Sequence, residues 1–143
     1  AMPSRSASSI SQEFAGISEL EIPPDRSTSR HSWHLYMLRL NLDKLEIDRE
    51  EFMRALRQRG IGTSVHFIPI PLHPFFGAYA SLPQNRCPRA LELFPRLVSL
   101  PLYPAMTEQQ VEYVISSVKD IVHANRKTKG VAVPASEQRV EAR

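Results

Sequence analysis

Apolar residues recur at helical spacing in two places along this chain. Val111, Val114, Ile115, Val118 and Val122 line one face of a helix near the end. Thr107 with Gln110 makes a capping box ahead of it, and Met106 with Val111 a hydrophobic staple. Earlier, Phe52, Met53 and Leu56 share a face. Asp48 with Glu51 forms the capping box there, Ile47 with Phe52 the staple, and Gly60 supplies the left-handed residue that ends the helix. Two core-facing helices are predicted.

Between and before them lie short apolar runs. In "WHLYMLRL", Trp33 to Leu40, both alternating sets are mostly apolar. That predicts a central strand with both faces largely covered. A second strand is predicted from Ile61 or Gly62 to Ile68, stopped by Pro69, which cannot donate to a ladder. A third is predicted in "LVSLPLYP", Leu97 to Pro104, and Pro88 can open a short helix in "PRALELFP". The order over residues 33 to 124 is then β-α-β-(loop, short helix)-β-α. It predicts an α/β two-layer sandwich, a small three-stranded sheet with helices packed on it.

The ends read differently. Residues 1–12 are serine-rich and residues 125–143 basic and poor in large apolar groups, so both are expected to be disordered. The folded domain is expected over residues 13–124.

Length and charge narrow the class. The 143 residues suffice for one domain. The net charge of +3 comes from cations scattered among carboxylates until the tail, so no nucleic-acid partner is expected. No window approaches a membrane span, and the first residues lack a signal-peptide core, so a cytoplasmic location without a membrane partner is expected. The single cysteine, Cys87, excludes an internal disulfide.

The stretch "TSVHFIPIPLHPFFGAY", Thr63 to Tyr79, departs from these patterns. It starts as a strand, then breaks on Pro69, Pro71 and Pro74 while carrying His66, His73 and a run of aromatics. Residues 69 to 87 form a long excursion, and excursions of that length are often functional. His66 lies at a strand end, a common place for ligand contacts in α/β folds. No glycine-rich phosphate loop, Gly-x-Ser-x-Gly or metal-ligand spacing accompanies it.

Three blocks in order carry a family resemblance: "WHLYMLRL"; Gly-Ile-x-Thr-x-x-His-x-x-Pro from Gly60 to Pro69; and Ser-Leu-Pro-Leu-Tyr-Pro before an amphipathic helix. From about Phe14 to Val122 the chain resembles the C-terminal part of the DegT/DnrJ/StrS family of pyridoxal-phosphate-dependent sugar aminotransferases. The resemblance implies the small C-terminal domain of a fold-type I homodimer that moves an amino group from glutamate to a nucleotide-linked keto-sugar. It implies that His66 edges the cleft on the sugar-nucleotide side. His73, Phe75, Phe76 and Tyr79 would line or cover the substrate approach. It also implies that the lysine bonding pyridoxal phosphate belongs to a large N-terminal domain. None of Lys44, Lys119, Lys127 and Lys129 sits in such a motif, so no cofactor is expected on this chain alone and the missing large domain is the expected partner. A non-catalytic dimerisation or interaction module is the alternative. The chain departs from the family at Leu91, where an acid is usual and Glu92 stands one place later.

Overall fold

Asp48 and Thr107 start their helices as the sequence signatures require. The computed structural model describes residues 2–24, 31–79 and 87–128. In it the Asp48 carboxylate accepts from the Glu51 N–H at 2.9 Å, and the Asp48 N–H donates to Glu51 Oε2 at 3.1 Å. Thr107 Oγ1 accepts from the Gln110 N–H at 3.2 Å, and Gln110 Oε1 accepts from the Thr107 N–H at 2.9 Å. Both boxes are reciprocal, so each satisfies two orphan donors. Gly60, in the left-handed region at φ 74, follows the helix that Asp48 starts.

The elements run in chain order as α1 (Met2–Phe14), β1 (Leu20–Glu21), β2 (Tyr36–Leu40) and α2 (Arg49–Gln58). A 3-10 turn (Ile70–Leu72), α3 (Pro74–Tyr79), α4 (Pro88–Leu93), a second 3-10 turn (Phe94–Arg96), β3 (Leu97–Leu100) and α5 (Glu108–Ala124) follow. The sheet is antiparallel in the order β1-β2-β3, with Leu20 opposite Leu40 and Tyr36 opposite Leu100. Tyr36, Leu38, Leu40, Val98 and Leu100 bury one face in a single core with Phe52 and Leu56 of α2 and Val114, Val118 and Val122 of α5. Burying each such side chain contributes about 1.5–3 kcal/mol relative to exposure. A small three-stranded sheet under packed helices is the α/β arrangement the sequence predicts.

Its strands are not all the predicted ones. The strand expected from residues 61 or 62 to 68 is reduced to one bridge, Ser64 to Ser99. Its two hydrogen bonds measure 3.2 and 2.9 Å. Pro69 and Pro71 lack N–H groups and Pro101 ends β3, so a ladder has nowhere to grow. Leu20–Glu21 supplies the third strand instead.

β2 also begins later than expected and has one covered face, not two. Trp33 adopts φ 51 and breaks the extended run. That left-handed geometry costs a bulky L-residue roughly 1–2 kcal/mol. It is held by the Trp33 N–H donating to His31 Nδ1 at 2.8 Å and by stacking of the indole on Tyr36 at 5.8 Å. Beyond it Tyr36, Leu38 and Leu40 are buried, whereas Met37 is exposed and Arg39 half-buried. Antiparallel sheets tolerate an open face in this way.

The largest correction concerns the first residues. Residues 1–12, expected to be disordered, lie almost wholly within α1, which covers residues 2 to 14. Ala7, Ile10 and Phe14 are buried in the core, and Ser11 Oγ meets the Tyr36 hydroxyl at 3.0 Å. Serine is a poor helix former, but tertiary burial of one face overrides propensity. At the other end the fold runs past residue 124. The Glu46 N–H donates to Asn125 O and the Lys127 N–H to Lys44 O, both at 2.9 Å. The rest of the expected tail, residues 129–143, lies outside the described residues.

Candidate functional site

After Ser64 the backbone leaves the sheet edge as an arm, irregular to Pro69, turned at Ile70–Leu72, and helical in α3. Proline fixes φ and removes donors, so this shape persists without a ladder. The arm carries all three residues singled out as substrate contacts. His66 is exposed, with its ring edge-on to Phe67 at 5.5 Å. His73 closes the 3-10 turn by donating its N–H to Ile70 O at 3.1 Å, and its ring meets Phe76 at 5.8 Å. Phe75 packs edge-on against Phe76 at 5.3 Å and is 59% exposed. His73 and Phe75 therefore share one aromatic cluster through Phe76, while His66 pairs with Phe67 apart from it. Tyr79 ends α3.

One groove lies between α1 and α5, a second between Gly62, Tyr103 and Tyr113, and a third between Glu21, Asp43 and Arg96. None is lined by His66, His73 or Phe75.

Two arginines fix the base to which the excursion returns. Arg49 Nη1 donates to Phe94 O, and its guanidinium lies 4.6 Å over the Phe94 ring. Arg96 Nε donates to Leu40 O at 2.8 Å, and its Nη2 pairs with Glu21. Glu21 also faces Arg39 at 3.4 Å. Sequence reasoning missed both arginines, because long-range clamps have no local periodicity. Glu92, next to the unusual Leu91, pairs with Arg89 at 3.6 Å and Arg96 at 3.7 Å. It belongs to the same brace.

Burial and charge shift two groups elsewhere. Burial alone would push the Glu19 carboxyl up. Hydrogen bonds from its own N–H, Arg126 and Ser18, with the Arg126 charge, outweigh this and hold it below the usual carboxylate value. Burial pushes the Tyr36 hydroxyl up, partly opposed by its bond to Ser11.

Among the described residues no three His, Cys, Asp or Glu side chains could hold a metal ion, and no helix is long and apolar enough to cross a membrane.

The DegT/DnrJ/EryC1/StrS aminotransferase family matches residues 4–119. The chain belongs to this family. An uncharacterised protein of Methanocaldococcus jannaschii is 42% identical over 115 residues, covering 80% of this chain and 30% of that protein. The spore coat polysaccharide biosynthesis protein SpsC of Bacillus subtilis is 40% identical over 110 residues, covering 76% of this chain and 28% of its own length. The crystal structure of S. venezuelae DesV in complex with a ketimine intermediate superposes with a TM-score of 0.72 at 28% identity, over 82% of this chain and 30% of that one. The aminotransferase resemblance read from the sequence is borne out. This family member spans about 30% of the length of the relatives it matches.

Proposed function

We propose that this chain is the C-terminal small domain of a pyridoxal-phosphate-dependent aminotransferase acting on a nucleotide-linked keto-sugar, and that alone it does not transaminate. The observation that carries the reading is the family match over residues 4–119 in a chain covering 30% of its relatives. In this reading the domain borders the substrate cleft, with His66, His73 and Phe75 facing the sugar-nucleotide.

The described residues do not fit the cofactor. Pyridoxal phosphate needs an imine-forming lysine and a cradle for its phosphate. Lys119 Nζ is paired with Glu13, Lys127 Nζ donates to Leu42 O at 3.0 Å, and Lys44 is exposed on a turn. Lys119 lines the groove between α1 and α5, but there its ammonium is held by Glu13. The cofactor lysine is therefore assigned to the remaining part of a longer enzyme, in a homodimer as the family resemblance implies.

Two assays test this. The chain mixed with pyridoxal phosphate should develop no imine absorbance, and borohydride should fix no cofactor to one defined lysine. A chimera of the Bacillus subtilis relative, with its matched segment replaced by this chain, should transfer an amino group from glutamate to a nucleotide-linked keto-sugar. A single trapped lysine in the isolated chain, or a folded but inactive chimera, contradicts the reading.

A second reading, a non-catalytic dimerisation or interaction module, is favoured by the exposure of the apolar arm. It requires a discrete dimer that persists on dilution.

A further inference from the structure

Between Arg59 and Arg86 the chain contains no Asp, Glu, Lys or Arg, although 23% of its residues are charged. The described part of that stretch is not buried. Phe67 is 88% exposed, Phe75 59%, Ile70 58%, Ile68 54% and Leu72 50%. Single exposed apolar residues are ordinary, but a contiguous uncharged series of them marks an interface.

The backbone of the arm is open as well. Val65, His66, Phe67 and Ile68 make no backbone hydrogen bond to another described residue. They extend from the Ser64–Ser99 bridge, and Ser99 itself pairs with Met37, whose side chain is exposed on the open face of β2. A segment outside any strand, its backbone N–H and C=O groups unpaired among the described residues and rooted at a sheet edge, is suited to strand addition.

We infer that residues 65–76 are the docking face for the part of the enzyme chain that lies outside this one. The inference rests on the family reading above and adds where the two parts meet and by what chemistry. Its occupant follows from length: the chain covers only 28% to 30% of the relatives named above, while the arm carries the longest run of exposed large apolar side chains among the described residues. The absence of charge sets the partner's chemistry. It must offer apolar side chains to Phe67, Ile70 and Leu72 and neutral backbone groups to the segment, because an acidic or basic groove would be desolvated without compensation. Docking is then only weakly sensitive to salt.

Hydrogen exchange at the amides of Val65, His66, Phe67 and Ile68 tests this, in the isolated 143-residue chain and in the chimera described above. Exchange in the chimera should slow by about 100-fold or more, as expected when open backbone becomes paired and buried. Phe67→Asp with Ile70→Asp should abolish that protection. Equal exchange in both proteins overturns the proposal. So does a concentration-dependent dimer of the isolated chain that protects these amides by itself, since the occupant is then a second copy. Should the chimera not fold, binding of a hydrophobic dye by the isolated chain decides. Phe67→Asp should reduce it and Tyr113→Asp should not; the reverse order overturns the proposal. Protection in a chimera that lacks amino transfer leaves the docking face standing and removes only the catalytic reading.

Discussion

Arg126 grips the buried carboxylate of Glu19 through two contacts, Nε to Oε1 at 2.8 Å and Nη2 to Oε2 at 3.1 Å. Glu19 is only 3% exposed, so removing the arginine leaves a buried charge with its own N–H and the Ser18 hydroxyl in place of a cation. Arg126→Ala should destabilise the fold by about 1–3 kcal/mol at neutral pH. The Glu19 carboxyl is held below its ordinary value, so its contribution is present above the unfolded-state value of about 4.3 and is lost as the pH falls through the folded-state value. Urea midpoints from pH 7 down to pH 3 should fall more steeply for the wild type than for Glu19→Gln. Parallel curves would show that the pair is not the source of acid sensitivity.

Phe14 tests whether the first helix belongs to the fold. It is 1% exposed within the core. Phe14→Ala should cost about 3–5 kcal/mol by thermal or urea unfolding, as for other buried aromatics. A change below 1 kcal/mol would mean that α1 does not dock in solution.

The two neighbouring glycines should respond oppositely. Gly60 has φ 74, and a Cβ there meets nothing within 4 Å, so any penalty is one of backbone geometry. Gly60→Ala should cost about 1 kcal/mol. A Cβ at Gly62 also meets nothing within 4 Å, without a left-handed φ. Gly62→Ala should be neutral or stabilise by about 0.4–1 kcal/mol through the unfolded state.

His66→Ala and His73→Ala should separate folding from function. Both side chains are exposed, so each substitution should change the stability of the isolated chain by no more than about 0.5 kcal/mol. In the chimera each should raise KM for the sugar-nucleotide. Unchanged KM in both variants would remove these histidines from the substrate side.

Local signals were legible in the sequence and long-range ones were not. Asp48, Gly60 and Thr107 marked helix boundaries because capping is settled within four or five residues. β1 escaped notice because Leu20–Glu21 is too short for any period-2 pattern, and its pairing partner Leu40 lies far along the chain. The run from Ile61 to Ile68 read as a strand by composition, yet pairing depends on donors that the following prolines lack. α1 hid behind serines, although Ala7, Ile10 and Phe14 carry the three- and four-residue spacing that burial exploits. His66 and His73 could be singled out as residues, but not their placement on an exposed arm, since exposure depends on long-range packing that leaves no local pattern.

Trp33 is the only tryptophan. It lies against Tyr36, which in turn touches α1 through Ser11. The molecule thus carries a built-in fluorophore at the junction of its first helix and its sheet. Its emission can follow the closing of that junction without any attached dye.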